Sequence, residues 1–293
     1  MSRWSYLCMI ALFIVMSDEE ETSSISPQMS ASSTRKKAKV YRSRYPYVVS
    51  VGENVNGYYK HLCVGVIISD EFVLTAAHCI KSKKNPPPRM FVAAGADMLN
   101  SRMQTRFFVV EVRWHPSFKL LQGHDIGVLR VFPKFQLDNI RLRSISFTVK
   151  PQNESDMRAN LIGWGRVKIS KRIGIQEMPF QTIENDVCKK KHRFVFLTGT
   201  DICAIHLRGP KGPCDGDSGG PLVSVVKENL YGLLSYGRKA CTPLKPYAFT
   251  RVSVYSDWIK KTMEQMKVHI VRVNRTRWYD MRSGALKNVK INK

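Results

Sequence analysis

The chain has 293 residues, of which 43% are hydrophobic, so it can bury a sizeable core and is not disordered throughout. Its 47 lysines and arginines against 23 acidic residues give a formal charge of +24. Such a charge attracts polyanions, among them sulfated glycans, anionic membrane surfaces, acidic proteins and nucleic acid, but does not choose among them. A solubilising surface with no dedicated partner would carry the same charge.

The N-terminal segment has the pattern of a secretory signal peptide. Arg3 precedes an apolar run over residues 6–16, and acidic residues follow at once. The run is too short to span a bilayer comfortably. We expect residues 1–17 to be removed and the protein to be secreted, with an uncleaved signal anchor as the alternative. Residues 18–45 are polar, first acidic and then basic, which predicts a flexible leader.

From residue 46 onward, short β-rich runs alternate with turn residues. The first half contains YPYVVSVG, HLCVGVII, FVLTAAHC, MFVAAGA, RFFVVEVRW and DIGVLRVF. The second half contains RANLIGWGRV, DICAI, GGPLVSVV, LYGLLSYG and YAFTRVSV. Many short strands without a long periodic helix predict an all-β sandwich or barrel.

One helix is predicted near the end of the chain. Its apolar residues at helical spacing are Val254, Trp258, Ile259, Met263 and Met266. Residues 261–293 are assigned to the end of this helix and to a basic tail that the core does not need.

The cysteine count favours disulfide bonds. Cys8 lies in the signal segment and leaves with it. An even number remains in a chain expected to be secreted, although many pairings are open. The remaining cysteines are Cys63, Cys79, Cys188, Cys203, Cys214 and Cys241.

Two sequons, at Asn153 and Asn274, predict N-glycans.

Three short motifs carry residues suited to acyl transfer. LTAAHC contains His78, GHDIGVL contains Asp125 and GDSGGP contains Ser218. A serine nucleophile needs a base to take its proton and a carboxylate to orient that base. It also needs backbone N–H groups aimed at the oxyanion, which Gly216 and Ser218 can supply because glycine permits a tight turn. Each residue alone is usually structural, but together they predict a catalytic triad.

These motifs and their order resemble those of the chymotrypsin-like (trypsin-family) serine proteases. The resemblance runs over residues 46–260 and includes YPYVVSV, TAAHC, HDIGVL, GWG, DICA, GDSGGP, SYG and YSDWI. It implies two six-stranded antiparallel β-barrels with a C-terminal helix, in a chain expected to be monomeric, and a site in the cleft between the barrels. It also implies three disulfides, Cys63–Cys79, Cys188–Cys203 and Cys214–Cys241.

The resemblance assigns roles residue by residue. His78 becomes the general base and acid, Asp125 the residue that orients it, and Ser218 the nucleophile. The segment Ser235, Tyr236 and Gly237 corresponds to the edge strand that pairs with a protein or peptide substrate.

The specificity pocket departs from the family pattern. Its floor position is Gly212, so the acidic floor of trypsin-like enzymes is absent and cleavage after Lys or Arg is not expected. A wall position that is usually glycine is Tyr247, whose ring should fill much of the cavity. We expect a shallow pocket for small residues, or one too blocked to use.

The segment expected to activate the enzyme also departs from the family pattern. The family exposes an N-terminal Ile or Val whose ammonium pairs with the Asp before the nucleophile, here Asp217, and this buried pair shapes the oxyanion hole. The expected Ile/Val-Val-Gly-Gly run is missing. A cut after Lys39 would expose Val40, but the link from there to Pro46 is too short to reach Asp217. An atypical cut, an active shape without a cut, and a poorly formed site are the alternatives.

No cofactor is expected. A calcium loop needs clustered carboxylates, and Asp97 is the only acid between Glu71 and Glu111, so no metal is expected either.

The sequence supports two candidate functions, a secreted serine endopeptidase and a catalytically impaired homologue that acts as a binding or regulatory module. The basic leader and tail add a polyanionic glycan or anionic surface as a partner for either. Nucleic acid is not expected of a secreted chain without a recognition module.

Overall fold

A computed structural model describes residues 42–81, 89–147, 155–165, 173–191, 197–209, 212–237, 241, 244–273, 277–280 and 285–288. All of them fall in the unit Tyr41–Lys293. The signal segment, nearly all of the leader and both sequons lie outside these residues, so the expectations about them stay predictions.

The first barrel is closed by six antiparallel strands in the order β1-β2-β3-β6-β5-β4. Alternate residues of a barrel strand face the interior, which places apolar side chains such as Val51, Val92 and Leu129 in a common core. The strands are β1 (Val48–Val55), β2 (Tyr58–Ile67), β3 (Phe72–Thr75), β4 (Met90–Ala94), β5 (Thr105–Trp114) and β6 (Gly127–Phe132).

The second barrel repeats this arrangement in the order β10-β11-β12-β9-β8-β7. Its core includes Leu161, Phe180 and Phe249. The predicted fold of two six-stranded antiparallel barrels is therefore confirmed. The strands are β7 (Arg158–Gly163), β8 (Gln176–Ile183), β9 (Asp201–His206), β10 (Pro221–Ser224), β11 (Leu230–Tyr236) and β12 (Pro246–Arg251).

Strand β8 is absent from the apolar runs of the sequence, although the two-barrel pattern requires it. Its buried residues Met178, Phe180 and Thr182 alternate with half-buried ones, among them Pro179. A strand with one face partly in solvent often carries polar residues on that face, which interrupt an apolar run, and proline disfavours a strand prediction. The remaining signal is the alternation itself, which is weak in so polar a segment.

The predicted C-terminal helix is confirmed as α2 (Ser256–Val273). Ile259 and Met266 on it are fully buried. Val254 was wrongly placed on this face, because it lies in the 3-10 turn Val252–Tyr255 and is 50% exposed. A shorter helix, α1 (Asn185–Lys191), was not predicted. Among the described residues, no helix is both long and apolar enough to cross a membrane.

A two-stranded sheet follows α2, where the sequence suggested only a basic tail. Strands β13 (Arg277–Asp280) and β14 (Ala285–Asn288) pair antiparallel.

A shared hydrophobic cluster joins the two barrels and α2. It combines Phe72 and Ile126 of the first barrel with Val223 and Leu233 of the second, and with Ile259 of α2. Because the barrels pack through this cluster, the loops that carry the chemical motifs are held at their junction.

Candidate active site

His78 and Asp125 form a hydrogen-bonded pair at this junction. His78 lies in the 3-10 turn Ala77–Cys79 after β3, which the Cys63–Cys79 disulfide anchors to β2. Its Nδ1 is 2.7 Å from Oδ2 of Asp125, and its backbone N–H donates to Oδ1 at 2.9 Å. Asp125 is only 3% exposed. A buried carboxylate bound to Nδ1 in this way fixes the imidazole tautomer and leaves Nε2 to exchange a proton.

Two residues from the second barrel complete the surroundings of Asp125. The Ser235 hydroxyl donates to Oδ2 at 2.5 Å, and the Thr250 hydroxyl donates to the Asp125 carbonyl at 2.8 Å. The sequence indicated only a substrate-binding role for Ser235 and carried no signal for Thr250. Both are more than a hundred residues from Asp125 along the chain, so no local motif could have shown these contacts.

The turn that contains Ser218 packs against the segment that leads to His78. The Ser218 carbonyl accepts a hydrogen bond from Val64 N–H of β2 at 2.8 Å. A Cβ on Gly219 would lie 2.9 Å from the Ala76 nitrogen, two residues before His78. Ser218 itself is half-buried. The structure therefore brings the motifs of His78, Asp125 and Ser218 to one place.

Gly216 has a backbone conformation that only glycine adopts readily. Its φ is +101°, and a Cβ there would lie 2.7 Å from the Gly165 carbonyl oxygen. Its own carbonyl is 2.9 Å from Nε2 of His61. Because a carbonyl only accepts, Nε2 carries the proton, and Nδ1 of His61 then accepts from the Ser50 hydroxyl at 2.7 Å.

His61 was missed in the sequence, where it appears as one histidine in an apolar run. Burial lowers the pKa of His61 to about 4. The ring is therefore neutral at physiological pH and acts as a fixed hydrogen-bonding link between β1 and the Ser218 turn.

Asp217 is buried and held by backbone amides. Its oxygens accept from Gly165 N–H at 2.7 Å and from Cys214 N–H at 2.9 Å. Gly163 permits this approach, since a Cβ there would lie 2.3 Å from Oδ1. Burial raises the pKa of Asp217 to about 6, and no cationic side chain of the described residues contributes to that shift.

Two of the residues assigned to the specificity pocket, Gly212 and Tyr247, are buried. The buried Gly212 donates its N–H to the Cys241 carbonyl at 3.0 Å, and Cys241 is bonded to Cys214. Tyr247 is 2% exposed, and a Cβ on Gly237 would lie 2.0 Å from its Cδ1. Burial and the charge of Asp217 raise the pKa of Tyr247 to about 12, so the phenol is neutral.

The remaining cysteines and potential metal ligands are explained by disulfides. Cys188 and Cys203 form the third bond, so the structure contains all three expected pairs. Among the described residues, Cys63, His78 and Cys79 come close enough to bind a metal together. The two sulfurs are bonded to each other, however, and a disulfide offers no thiolate ligand.

Comparison with known proteins agrees with this fold. A family model described as Trypsin matches residues 34–259. Chymotrypsin-2 of Vespa crabro is 33% identical over 225 residues, which span 75% of this chain and 95% of that protein. Granzyme M of Rattus norvegicus is 30% identical over 229 residues, which span 74% of this chain and 84% of that protein.

The fold defines the class as a double-barrel scaffold of the chymotrypsin type. The chain belongs to the trypsin family of chymotrypsin-like serine proteases. This membership supports serine endopeptidase activity on peptide or protein substrates.

Proposed function

We propose that the protein is a secreted serine endopeptidase that cleaves peptide bonds through an acyl-enzyme. The observation that carries the proposal is the His78–Asp125 pair, in which a 2.7 Å bond joins Nδ1 to a buried carboxylate. An imidazole oriented in this way takes a proton from a serine hydroxyl far better than a free one.

The chemistry assigns one role to each group. The Ser218 Oγ attacks the scissile carbonyl carbon, and its proton passes to Nε2 of His78. The carbonyl oxygen becomes an anion, which the N–H groups of Gly216 and Ser218 stabilise. His78 then gives the proton to the leaving amine. A water molecule, deprotonated in turn by His78, releases the acyl group and restores Ser218.

Substrate binding uses the end of β11. Ser235, Tyr236 and Gly237 extend along an edge that an incoming peptide pairs with by backbone hydrogen bonds. The pocket between Gly212 and Gly237 is shallow because Tyr247 fills it, and its floor carries no acid. We therefore expect cleavage after small residues and none after Lys or Arg.

A second candidate function is a catalytically impaired homologue that binds or regulates. The same Tyr247 ring favours it, because a filled pocket hinders productive substrate binding. The buried Asp217 favours it too, because its partners in the described part of the chain are amides and not a cation.

Covalent labelling separates these functions. A fluorophosphonate probe reacts with a serine whose hydroxyl is activated, so we expect it to label the wild type and not Ser218→Ala or His78→Ala. The probe is applied to the intact chain and again after limited proteolysis of the leader, which shows whether activation needs a cut. No Ser218-dependent labelling of either form would overturn the endopeptidase and leave the binding module.

Secretion and the polyanionic partner belong to the same proposal. The N-terminal signal pattern supports export, and the formal charge of +24 supports binding of a sulfated glycan or anionic surface by the leader and tail. A monomer is expected for either function.

A further inference from the structure

Two histidines stack face to face next to the proposed catalytic aspartate. The ring centroids of His115 and His124 are 4.8 Å apart and the rings are 11° from parallel. His124 directly precedes Asp125 in the chain. Neither ring takes part in the proton transfers assigned to His78, so their arrangement requires another explanation.

The backbone at His124 is in the left-handed region. Its φ is +56°, directly after Gly123 at +95°. A residue with a Cβ rarely adopts this conformation, although histidine does so more often than most. The turn is closed by a hydrogen bond from Ile126 N–H to the His124 carbonyl at 2.9 Å. This tight turn sets the direction in which Asp125 leaves the backbone.

The His124 side chain is clamped on two sides. Its Nδ1 is 3.0 Å from the Tyr255 hydroxyl, and its ring lies on His115. The His115 ring is fixed in turn by Tyr255 and Trp258, whose centroids are each 5.2 Å away, and by Ser117 N–H, which donates to its Nδ1 at 3.3 Å. An unfavourable backbone conformation persists when the surrounding contacts over-determine it.

The clamp and the carboxylate lie at opposite ends of the same turn. On the far side, Asp125 is bound through its carbonyl by Thr250 and through its carboxylate by His78. The hydrogen bond between His124 and Tyr255 forms with either ring tautomer, because the phenol donates to a bare Nδ1 and accepts from Nδ1–H. Burial and the charge of His124 lower the pKa of His115. Burial raises the pKa of Asp201, at the start of β9, and the charge of His124 partly offsets that rise.

We propose that His124 is a positioning residue for Asp125: held between His115 and Tyr255, it maintains the left-handed turn that aims the Asp125 carboxylate at His78. The catalytic consequence rests on the proposed endopeptidase function, whereas the geometric claim does not.

The test compares His124→Ala with His124→Asn. Alanine removes the ring and disfavours positive φ, whereas asparagine tolerates that φ. The first readout is the far-downfield proton NMR signal of the hydrogen bond from His78 Nδ1–H to Asp125, assigned by its loss in His78→Ala. The second is the separation of kcat from KM on a peptide substrate.

We expect His124→Ala to move or broaden the NMR signal and to lower kcat by about tenfold, with KM little changed, because a small misplacement of a catalytic group slows the chemical step. His124→Asn should restore most of both. If His124→Ala does not fold, Tyr255→Phe removes only the hydroxyl that holds His124, and we expect a smaller movement of the same signal.

An unchanged NMR signal in a folded His124→Ala protein, or in Tyr255→Phe where alanine does not fold, overturns the proposal. Equal damage in His124→Ala and His124→Asn overturns it as well. The NMR signal requires no turnover, so it decides the question even if fluorophosphonate labelling of the wild type fails.

Discussion

Tyr247 lies directly against Gly237, so closely that a Cβ on Gly237 would come within 2.0 Å of the phenol ring. The ring also makes an edge contact with Phe180, at a centroid distance of 5.9 Å. The side chain that narrows the proposed pocket is therefore also part of the second barrel's core. Pocket shape and barrel packing are coupled through one residue.

Replacing this ring should change which peptide bonds are cleaved. In Tyr247→Ala the space beside Gly237 opens, and we expect kcat/KM for substrates with leucine or phenylalanine before the scissile bond to rise by about tenfold or more relative to alanine substrates. Loss of a buried aromatic ring should also lower the free energy of unfolding by about 3–5 kcal/mol. Activity is therefore measured well below the unfolding temperature, on a panel that varies only that substrate residue.

Tyr247→Phe is the matched control, because it removes only the hydroxyl and keeps the ring. We expect its substrate preference to equal that of the wild type. If Tyr247→Ala keeps the same preference as Tyr247→Phe, the ring does not determine the pocket.

Asp217 should make stability depend on pH. Because burial raises its pKa to about 6 in the folded chain, the native state holds this proton more tightly than an unfolded chain, where Asp titrates at about 3.9. The free energy of unfolding therefore falls as pH rises from about 4 to about 6, and this contribution is constant above that range. Asp217→Asn has no carboxyl to titrate. Its free energy of unfolding should therefore rise relative to that of the wild type across the same pH range, by about 3 kcal/mol in total.

Urea unfolding of both proteins at closely spaced pH values measures this gain. A difference between them that does not change from about pH 4 to 6 would show that the pKa of Asp217 is not raised in the folded chain. Repeating the series after a cut in the leader asks whether a new N-terminal ammonium pairs with Asp217. In that case the slope is present before the cut and absent after it.

The sequence was sufficient where chemistry is encoded in local motifs. LTAAHC, GHDIGVL and GDSGGP name His78, Asp125 and Ser218, and the structure brings those three motifs together. It was insufficient for contacts between distant segments. The Gly216 carbonyl is fixed by His61, 155 residues earlier, and Asp125 is bound by Ser235, 110 residues later. Such pairs depend on how the two barrels pack, which no short pattern specifies.

The same distinction holds for the secondary structure: elements with a strong local pattern could be predicted, and those without one could not. Strands such as β3 and β10 could be predicted from their apolar runs because the residues on both of their faces are buried. Strand β8 could not, because half-buried polar residues and Pro179 interrupt its pattern. Val254 fits the helical spacing of the apolar face but precedes the helix itself, since spacing alone does not mark where the turn Val252–Tyr255 gives way to α2.

Arg130 should be important for stability because it joins the first barrel to α2. Its guanidinium binds Glu71 Oε2 through Nε at 2.8 Å and donates to the Met266 carbonyl at 2.7 Å. Both charged side chains are largely buried, 12% and 7% exposed. Arg130→Met leaves Glu71 without its main partner, so we expect the free energy of unfolding to fall by about 3 kcal/mol.

The double variant Arg130→Met with Glu71→Gln is the control, measured by the same urea unfolding. Because Glu71→Gln also removes the buried charge that Arg130→Met leaves without its partner, the double variant should recover a large part of the lost free energy of unfolding. A double variant as unstable as Arg130→Met alone would place the loss in the contact with α2 and not in the ion pair.

The basic end of the chain should determine affinity for sulfated glycans. Deleting residues 274–293 leaves α2 complete and removes Arg275, Arg277, Arg282, Lys287, Lys290 and Lys293. Binding to a polyanion releases counterions, so the slope of log affinity against log salt should flatten by about one for each cation that contacts the glycan. Affinity for heparin is measured over a salt series, with the six residues changed to Gln in the full chain as the matched control. Deletion and Gln variants should behave alike. An unchanged salt slope in both would assign heparin binding to another part of the chain.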